Sequence, residues 1–328
     1  MKAKQKVVLY KEIEQQALIK LKTHFDLSYF PVVNENNREA FIEALKNADG
    51  LIGASMSMPA ELLKLAPNVK VLSTISVGVD QFDIDYINQN KIALMHTPNV
   101  LTETTADTLF TLLLCAARRA VELSNMVRNG HWKNSITSEY FGVNVHGKTL
   151  GIVGMGRIGY AVAKRAFHGF DMQVNYYNRS ANQEAENTLN AKRLTLDELL
   201  KSSDFICVVV PLSADTEKLI SEEQFKLMKP DAIFINGSRG KVIDEKALIN
   251  ALNNKVIRGA GLDVFEVEPL PASSPLCTMD NAVIFPHIGS ATAETRLAMA
   301  NCAVDNMINA LQQDFSKNCF NRDVLKIG

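Results

Sequence analysis

Long apolar runs are scarce in this chain. The longest, such as Leu112–Ala117 and Phe205–Leu212, fall far short of the roughly 20 residues that cross a bilayer, so no membrane association is expected. Cysteine is sparse and shows no pairing pattern. Cys115, Cys207, Cys277, Cys302 and Cys319 form no CxxC pair and are odd in number, which speaks against a disulfide framework and against a thiolate metal site. Cys115 and Cys207 lie in apolar segments, where a free cysteine behaves as a small hydrophobe. No metal is expected, and a reducing, cytoplasmic location follows. A surplus of charge is missing too. The 35 basic and 36 acidic residues leave a net charge of −1, and no basic stripe is interleaved with aromatics, so nucleic acid is not an expected partner. Three lysines near the N-terminus are followed only by the short block Val7–Tyr10, which reads as a first strand rather than a signal peptide. Internal repeats and low-complexity segments are also lacking.

What remains is a chain of 328 residues, 47% hydrophobic and 22% charged, long enough for two domains with substantial cores. Short β-rich runs alternate with helical stretches. Val7–Tyr10, Leu27–Phe30, Leu51–Gly53, Val71–Ser73 and Ala93–Met95 read as strands, with helices at Phe41–Leu45, Ala60–Leu65 and Ile84–Ile87. A second series follows: Thr149–Val153, Gln173–Tyr177, Phe205–Val210, Ala232–Asn236, Gly259–Asp263 and Ala282–Phe285. Near-continuous apolar strands between helices imply parallel sheets covered on both faces. The expected class is therefore α/β, with two doubly wound parallel-sheet domains of Rossmann or flavodoxin-like type and a cleft between them.

Two longer helices are expected. One runs from Thr104 to Asn129, about 39 Å if continuous, with Thr104 and Asp107 as a capping box at its start. The other follows Gly289-Ser290-Ala291-Thr292, with Leu297, Ala300, Val304, Met307, Ile308 and Leu311 on one face. It is expected to return to the first domain. The domains are then 1–98 plus 289–328, and 99–288.

Gly154-Met155-Gly156-Arg157-Ile158-Gly159 lies directly behind the run Thr149–Val153 and opens a helical pattern. Strand, glycine turn and helix start together form a pyrophosphate site, because the helix N-terminus offers unpaired N–H groups to the anion. The position that carries an acid in NAD sites, about 20 residues on, is here Asn178, followed by Arg179 and Ser180. Without the acid a 2′-phosphate is not repelled, and Arg179 and Ser180 can bind it, so NADPH is favoured over NADH. Three other strand ends carry polar residues: Arg239 in Gly237-Ser238-Arg239-Gly240, Glu268 before Pro269, and His287 after Pro286. In an open α/β sheet such ends converge on the ligand crevice. Imidazolium is a natural proton donor to a developing alkoxide, a carboxylate favours its charged form, and a guanidinium fork fits a substrate carboxylate. Glu266, two residues away, rivals Glu268 for the acid. The remaining histidines, His96 among them, read as structural or exposed.

These motifs, with Gly261–Pro269 and Pro286–Thr292, resemble the D-isomer-specific 2-hydroxyacid dehydrogenases along essentially the whole chain. Ser76–Asp80 and His96–Glu103 are similar to the branch that reduces glyoxylate and hydroxypyruvate, and in some members 2-ketogluconate. The resemblance implies that 99–288 is the dinucleotide-binding domain and the remainder the substrate domain. It implies Arg239 for carboxylate binding and carbonyl polarisation, His287 as proton donor and Glu268 as its partner. Backbone N–H groups at Val77, Gly78 and Val79 are implied to hold the substrate carboxylate, while the turn Gly53–Pro59 reads as a plain loop rather than as a further lining. It adds Pro211, Thr216, Gly237 and Asp263 to the cofactor contacts. A homodimer is implied, through the Thr104–Asn129 helix with Trp132 behind it, and the substrate implied is a small 2-keto acid. Phosphoglycerate dehydrogenase and a nicotinamide-sensing corepressor are the alternatives.

Overall fold

The first hundred residues form β1 (Lys6–Leu9), α1 (Gln15–His24), β2 (Asp26–Tyr29), α2 (Arg38–Lys46), β3 (Gly50–Gly53), α3 (Ala60–Leu63), β4 (Val71–Thr74), α4 (Ile84–Gln89) and β5 (Ala93–Met95). All five strands are parallel, in the order β2-β1-β3-β4-β5. The order reverses between β1 and β3, the flavodoxin-like arrangement. These elements belong to a computed structural model that describes residues 3–325. The chain divides into two compact units, Met1–Leu101 with Ala291–Gly328, and Thr102–Ser290.

The second unit begins with α5 (Thr102–Arg118) and α6 (Ala120–Arg128). It continues through β6 (Thr149–Val153), α7 (Arg157–Phe170), β7 (Gln173–Tyr177), α8 (Gln183–Leu189), β8 (Lys192–Arg193), α9 (Leu196–Ser202), β9 (Phe205–Val208), α10 (Glu222–Leu227), β10 (Ile233–Asn236), α11 (Glu245–Asn253), β11 (Gly259–Leu262) and β12 (Ala282–Ile284). Its seven parallel strands lie in the order β12-β11-β10-β9-β6-β7-β8. This is the dinucleotide-binding order extended by one strand, with the switch point between β6 and β9. Leu150, Ile152, Phe205, Cys207, Ile233 and Ile235 bury one sheet face under α5 and α7. Ile206, Val208, Phe234, Ala260 and Leu262 bury the other with Leu199, Phe225 and Leu248 of the facing helices. Each fully buried large aliphatic or aromatic side chain contributes about 1.5–3 kcal/mol.

The last helix, α12 (Ala293–Leu311), belongs to the first unit. The Thr292 hydroxyl caps its start by accepting from Thr295 N–H. Its face of Met299, Ala300, Ala303, Val304, Met307 and Ala310 packs with Val7, Leu9, Ile52 and Val71, and the Ser73 hydroxyl of β4 donates to the Ala303 carbonyl at 2.8 Å.

The single helix expected over Thr104–Asn129 is not formed. It breaks at Arg119, whose φ of 53° is left-handed. The Arg119 guanidinium bonds Glu122 and the Glu139 carbonyl, which holds the corner. The expected capping box is also absent, since α5 starts at Thr102. Asp107 lies inside the helix and pairs with Arg165 of α7 at 2.7 Å, so its charge is used between helices rather than at a helix end.

Candidate active site

Behind β6 the chain turns at Gly154, whose φ of 104° belongs to the region that glycine tolerates and a side chain does not. Its N–H donates to the Tyr177 carbonyl, which ties the turn to β7. Gly156 caps α7 without a side-chain bond, and a Cβ there would meet open space. Gly156 and Arg157 are exposed, Ile158 is half-buried, and the first turn of α7 carries no acid. A helix start with free N–H groups, open space and no opposing charge fits a pyrophosphate.

At the end of β7, Asn178 Nδ2 donates to the Ser180 carbonyl at 3.2 Å. Arg179 pairs with Asp215 at 3.6 Å, both side chains well exposed. Arg193 of β8 donates to the carbonyls of Asn178, at 3.0 Å, and Arg179, at 2.6 Å. A second guanidinium thus braces the loop that the sequence marked for the cofactor ribose. Arg193 carries no local signal, since β8 is two polar residues long, and Asp215 lies in a turn. Thr216 is buried, and its hydroxyl donates to the Pro211 carbonyl at 2.6 Å and accepts from Ser213 N–H at 2.8 Å. It shapes the Pro211–Thr216 loop.

Arg239 follows β10. The buried Asn236 side chain holds that turn by accepting from Ser238 N–H and hydroxyl and by donating to the Arg239 carbonyl. Arg239 Nη1 donates to the Ser238 carbonyl at 2.8 Å. Gly237 packs against Leu109 of α5. Gly240 touches the backbone of Phe265 and Glu266 so closely that a Cβ would lie 1.8 Å from a carbonyl carbon. This contact brings the Arg239 turn beside the loop of Glu268.

Glu268 Oε2 lies 2.7 Å from Nδ1 of His287, and its Oε1 accepts from Phe265 N–H at 3.0 Å. Burial pushes the Glu268 carboxyl up. The bonds from His287 and Phe265, with the charges of His287 and Arg239, outweigh this and hold it below the ordinary carboxylate range. With Nδ1 committed to Glu268, the Nε2 side of the ring is the side available for proton transfer. The rival, Glu266, is used elsewhere. It accepts from Glu245 N–H at 3.1 Å while Glu245 accepts from Glu266 N–H at 3.0 Å.

His287 itself has a φ of 53°, a strained backbone of the kind that functional residues retain when their surroundings enforce it. Asp263 does the enforcing. Buried at the end of β11, its two oxygens accept from Ile288 and Gly289 N–H, both at 2.8 Å. Burial raises its carboxyl above the ordinary value despite those bonds. Asp263, expected among the cofactor contacts, therefore also fixes the turn that carries His287.

In the first unit, Val77, Gly78 and Val79 follow β4 and are half-buried. Met58 N–H of the Gly53–Pro59 turn donates to the Gln81 carbonyl, joining the two loops.

The chain belongs to the D-isomer-specific 2-hydroxyacid dehydrogenases: the model of that family's NAD-binding domain matches residues 110–289. It is accordingly a nicotinamide-dependent oxidoreductase, and the glycine turn and α7 fit that cofactor. Among its relatives is glyoxylate/hydroxypyruvate reductase B of Cronobacter sakazakii, 52% identical over 98% of this chain and 100% of the relative. The protein of the same name from Serratia proteamaculans is 50% identical over 98% and 99%. A solved glyoxylate reductase from Paecilomyes thermophila superposes with a TM-score of 0.86 at 31% identity, covering 95% of this chain and 97% of that one. An NADPH-dependent glyoxylate/hydroxypyruvate reductase from Sinorhizobium meliloti, solved with NADP and malonate, gives 0.82 at 28% identity, covering 94% of each.

Proposed function

We propose that this chain reduces small 2-keto acids, glyoxylate and hydroxypyruvate first among them and 2-ketogluconate as a larger candidate, to D-2-hydroxy acids with NADPH. The observation that carries the reading is the His287–Glu268 pair at 2.7 Å on a turn held by Asp263, beside the Arg239 turn. The bound nicotinamide supplies a hydride. Arg239 binds the substrate carboxylate and polarises the carbonyl with its fixed positive charge. His287 holds a proton at Nε2 and delivers it to the carbonyl oxygen as negative charge develops there. Glu268 orients the ring through its 2.7 Å contact with Nδ1. In the first unit, the Val77, Gly78 and Val79 amides receive the carboxylate. Unit 102–290 serves the cofactor and the remainder the substrate.

Gly154, Gly156, Arg157, Ile158 and Gly159 bind the pyrophosphate, and Pro211, Thr216, Gly237 and Asp263 line the rest of the cofactor. Asn178 in place of an acid, with Arg179 and Ser180 exposed beside it, supports NADPH over NADH. Arg179 exchanges Asp215 for the 2′-phosphate. A homodimer is supported by α6, which buries none of its residues and leaves Val121 and Val127 exposed, with Trp132, Ile136 and Phe141 exposed after it. Five free cysteines support a reducing, cytoplasmic setting. Among the described residues no helix is long and apolar enough to cross a membrane.

The test is a panel of kcat/KM for glyoxylate, hydroxypyruvate, 2-ketogluconate and pyruvate, each with NADPH and NADH. Glyoxylate and hydroxypyruvate are expected to lead, with NADPH ahead. No cofactor oxidation with any 2-keto acid would defeat the reading. Arg179→Ala should raise the KM for NADPH about tenfold or more, the scale of one charge-assisted bond, and leave that for NADH little changed.

A further inference from the structure

The loop behind β4 has an asymmetry in its hydrogen bonding. Four consecutive carbonyls each have a donor. Ser76 C=O accepts from Thr97 N–H at 2.9 Å, and Val79 C=O from Phe82 N–H at 3.1 Å. Val77 C=O accepts from His96 Nδ1 at 3.0 Å, and Gly78 C=O from the Ser76 hydroxyl at 2.7 Å. That hydroxyl is held in turn by Thr74 Oγ1 at 2.7 Å, to which Gln81 donates at 3.0 Å. The N–H groups of Val77, Gly78 and Val79 have no acceptor among the described residues. A half-buried turn with every oxygen tied back and three successive donors unspent is a concavity for an anion.

Of these four ties, only the one on Val77 comes from a side chain outside the loop. A carbonyl can only accept, so His96 carries its proton at Nδ1. The residue is braced from its other side. Its N–H donates to the Asn318 carbonyl at 3.0 Å, and its own carbonyl accepts from Asn306 Nδ2 at 2.8 Å. Its ring meets Phe320 edge-on, with centroids 5.9 Å apart. The segment that supplies Asn318 and Phe320 lies antiparallel to β5, through the Met95–Cys319 bridge and a bond of 2.8 Å from Phe320 N–H to the Leu94 carbonyl. Asn321 locks it by accepting from Leu94 N–H and donating to the Ile92 carbonyl.

We propose that His96 is a positioning residue for the substrate: it holds the Val77 carbonyl so that the Val77–Val79 amides meet the carboxylate of the 2-keto acid, with Asn318–Asn321 as its brace. The inference rests on the 2-keto acid reductase reading and adds to it a residue that transfers no proton. Losing the tie frees the turn to rotate, so the donors are no longer aimed before substrate arrives.

The experiment is steady-state kinetics on full-length His96→Leu and His96→Asn, with NADPH affinity measured by fluorescence titration. His96→Leu should raise the KM for glyoxylate about tenfold, the effect of one lost bond to a charged group, with kcat within about twofold and NADPH affinity unchanged. His96→Asn should restore most of the KM, because its amide nitrogen stands the same number of bonds from Cα as Nδ1. An unchanged KM in His96→Leu overturns the inference. So does a fall in kcat at constant KM, which would make the ring a participant in chemistry. A matching loss of NADPH affinity, or no rescue by Asn, would reduce His96 to a structural residue. If His96→Leu does not fold, Phe320→Leu takes its place, with a smaller rise in KM expected and an unchanged KM overturning the inference. A wild-type enzyme that turns over normally separates these failures from failure of the parent reading; an inactive wild type removes both.

Discussion

At Glu268, burial and hydrogen bonding pull the carboxyl in opposite directions, and the bonds win. The consequence has a definite sign. A carboxyl held below its ordinary value stabilises the fold above the unfolded value of about 4.3, and that stabilisation is lost as pH falls through the lower folded value. The Tm gap between wild type and Glu268→Gln should therefore hold steady at mildly acid pH and close below about pH 4. A gap that widens on acidification would contradict the assignment. The same variant should lose about 10²-fold in kcat, the lower range for a positioned acid, with the KM for the cofactor unchanged. Arg239→Ala should lose about 10²–10³-fold in kcat/KM while NADPH titration remains normal. Equal loss of cofactor binding would make Arg239 structural. Cysteine behaves differently again: burial pushes the Cys207 thiol up to about 12, so it should resist thiol reagents that label the exposed Cys277 in the native protein.

Between elements, the tightest constraint is the contact of Gly240 with the backbone of Phe265 and Glu266. Gly240→Ala forces two main chains apart, because no flexible side chain is there to yield. About 1–3 kcal/mol of stability should go, read by thermal or urea unfolding, and activity should fall more than stability because the Arg239 turn shifts from the Glu268 loop. Elements with strong internal patterns were legible in the sequence. β5 and β6 have the bounds their apolar runs mark, because buried parallel strands are apolar along their length, and β7 was marked by the alternation of its buried residues Val174 and Tyr176 with less buried neighbours. β8 escaped notice because Lys192 and Arg193 pair on the sheet edge without apolar character. The corner at Arg119 escaped because neither proline nor glycine marks it; the left-handed turn is held by Glu122, the Glu139 carbonyl and the Tyr140 ring, partners that a periodicity cannot reveal. The capping boxes that do form, Thr195 with Glu198 and Ser221 with Gln224, open α9 and α10. At the site, Arg239, Glu268 and His287 stood out because strand ends expose polar residues at one edge of a sheet. His96, Arg193 and Asp215 did not, because their contacts are made across the fold to carbonyls or to a distant charge.

For the molecule as a whole, assembly is the property most open to test. α6 and the residues after it leave Val121, Val127, Trp132, Ile136 and Phe141 exposed, apolar side chains that pairing would cover. Light scattering should give a dimer for the wild type, and Val121→Asp with Val127→Asp should move it toward monomer. A wild-type monomer at micromolar concentration would remove the dimer proposal.

The two units also differ in how their chain is arranged. Residues 102–290 are continuous, whereas the first unit needs α12, made only after that whole segment, to cover one face of a sheet whose strands all lie in the first hundred residues. During synthesis the continuous unit can reach its native state while the ribosome is still at work. Until α12 is made, Val7, Leu9, Ile52 and Val71 have the α1 side chains Ala17, Leu18 and Leu21, but not those of α12, to pack with. A released chain ending at Thr292 should therefore yield a protease-resistant fragment from its middle and a degradable amino-terminal part, which makes the interval before α12 is made the time of greatest need for a chaperone.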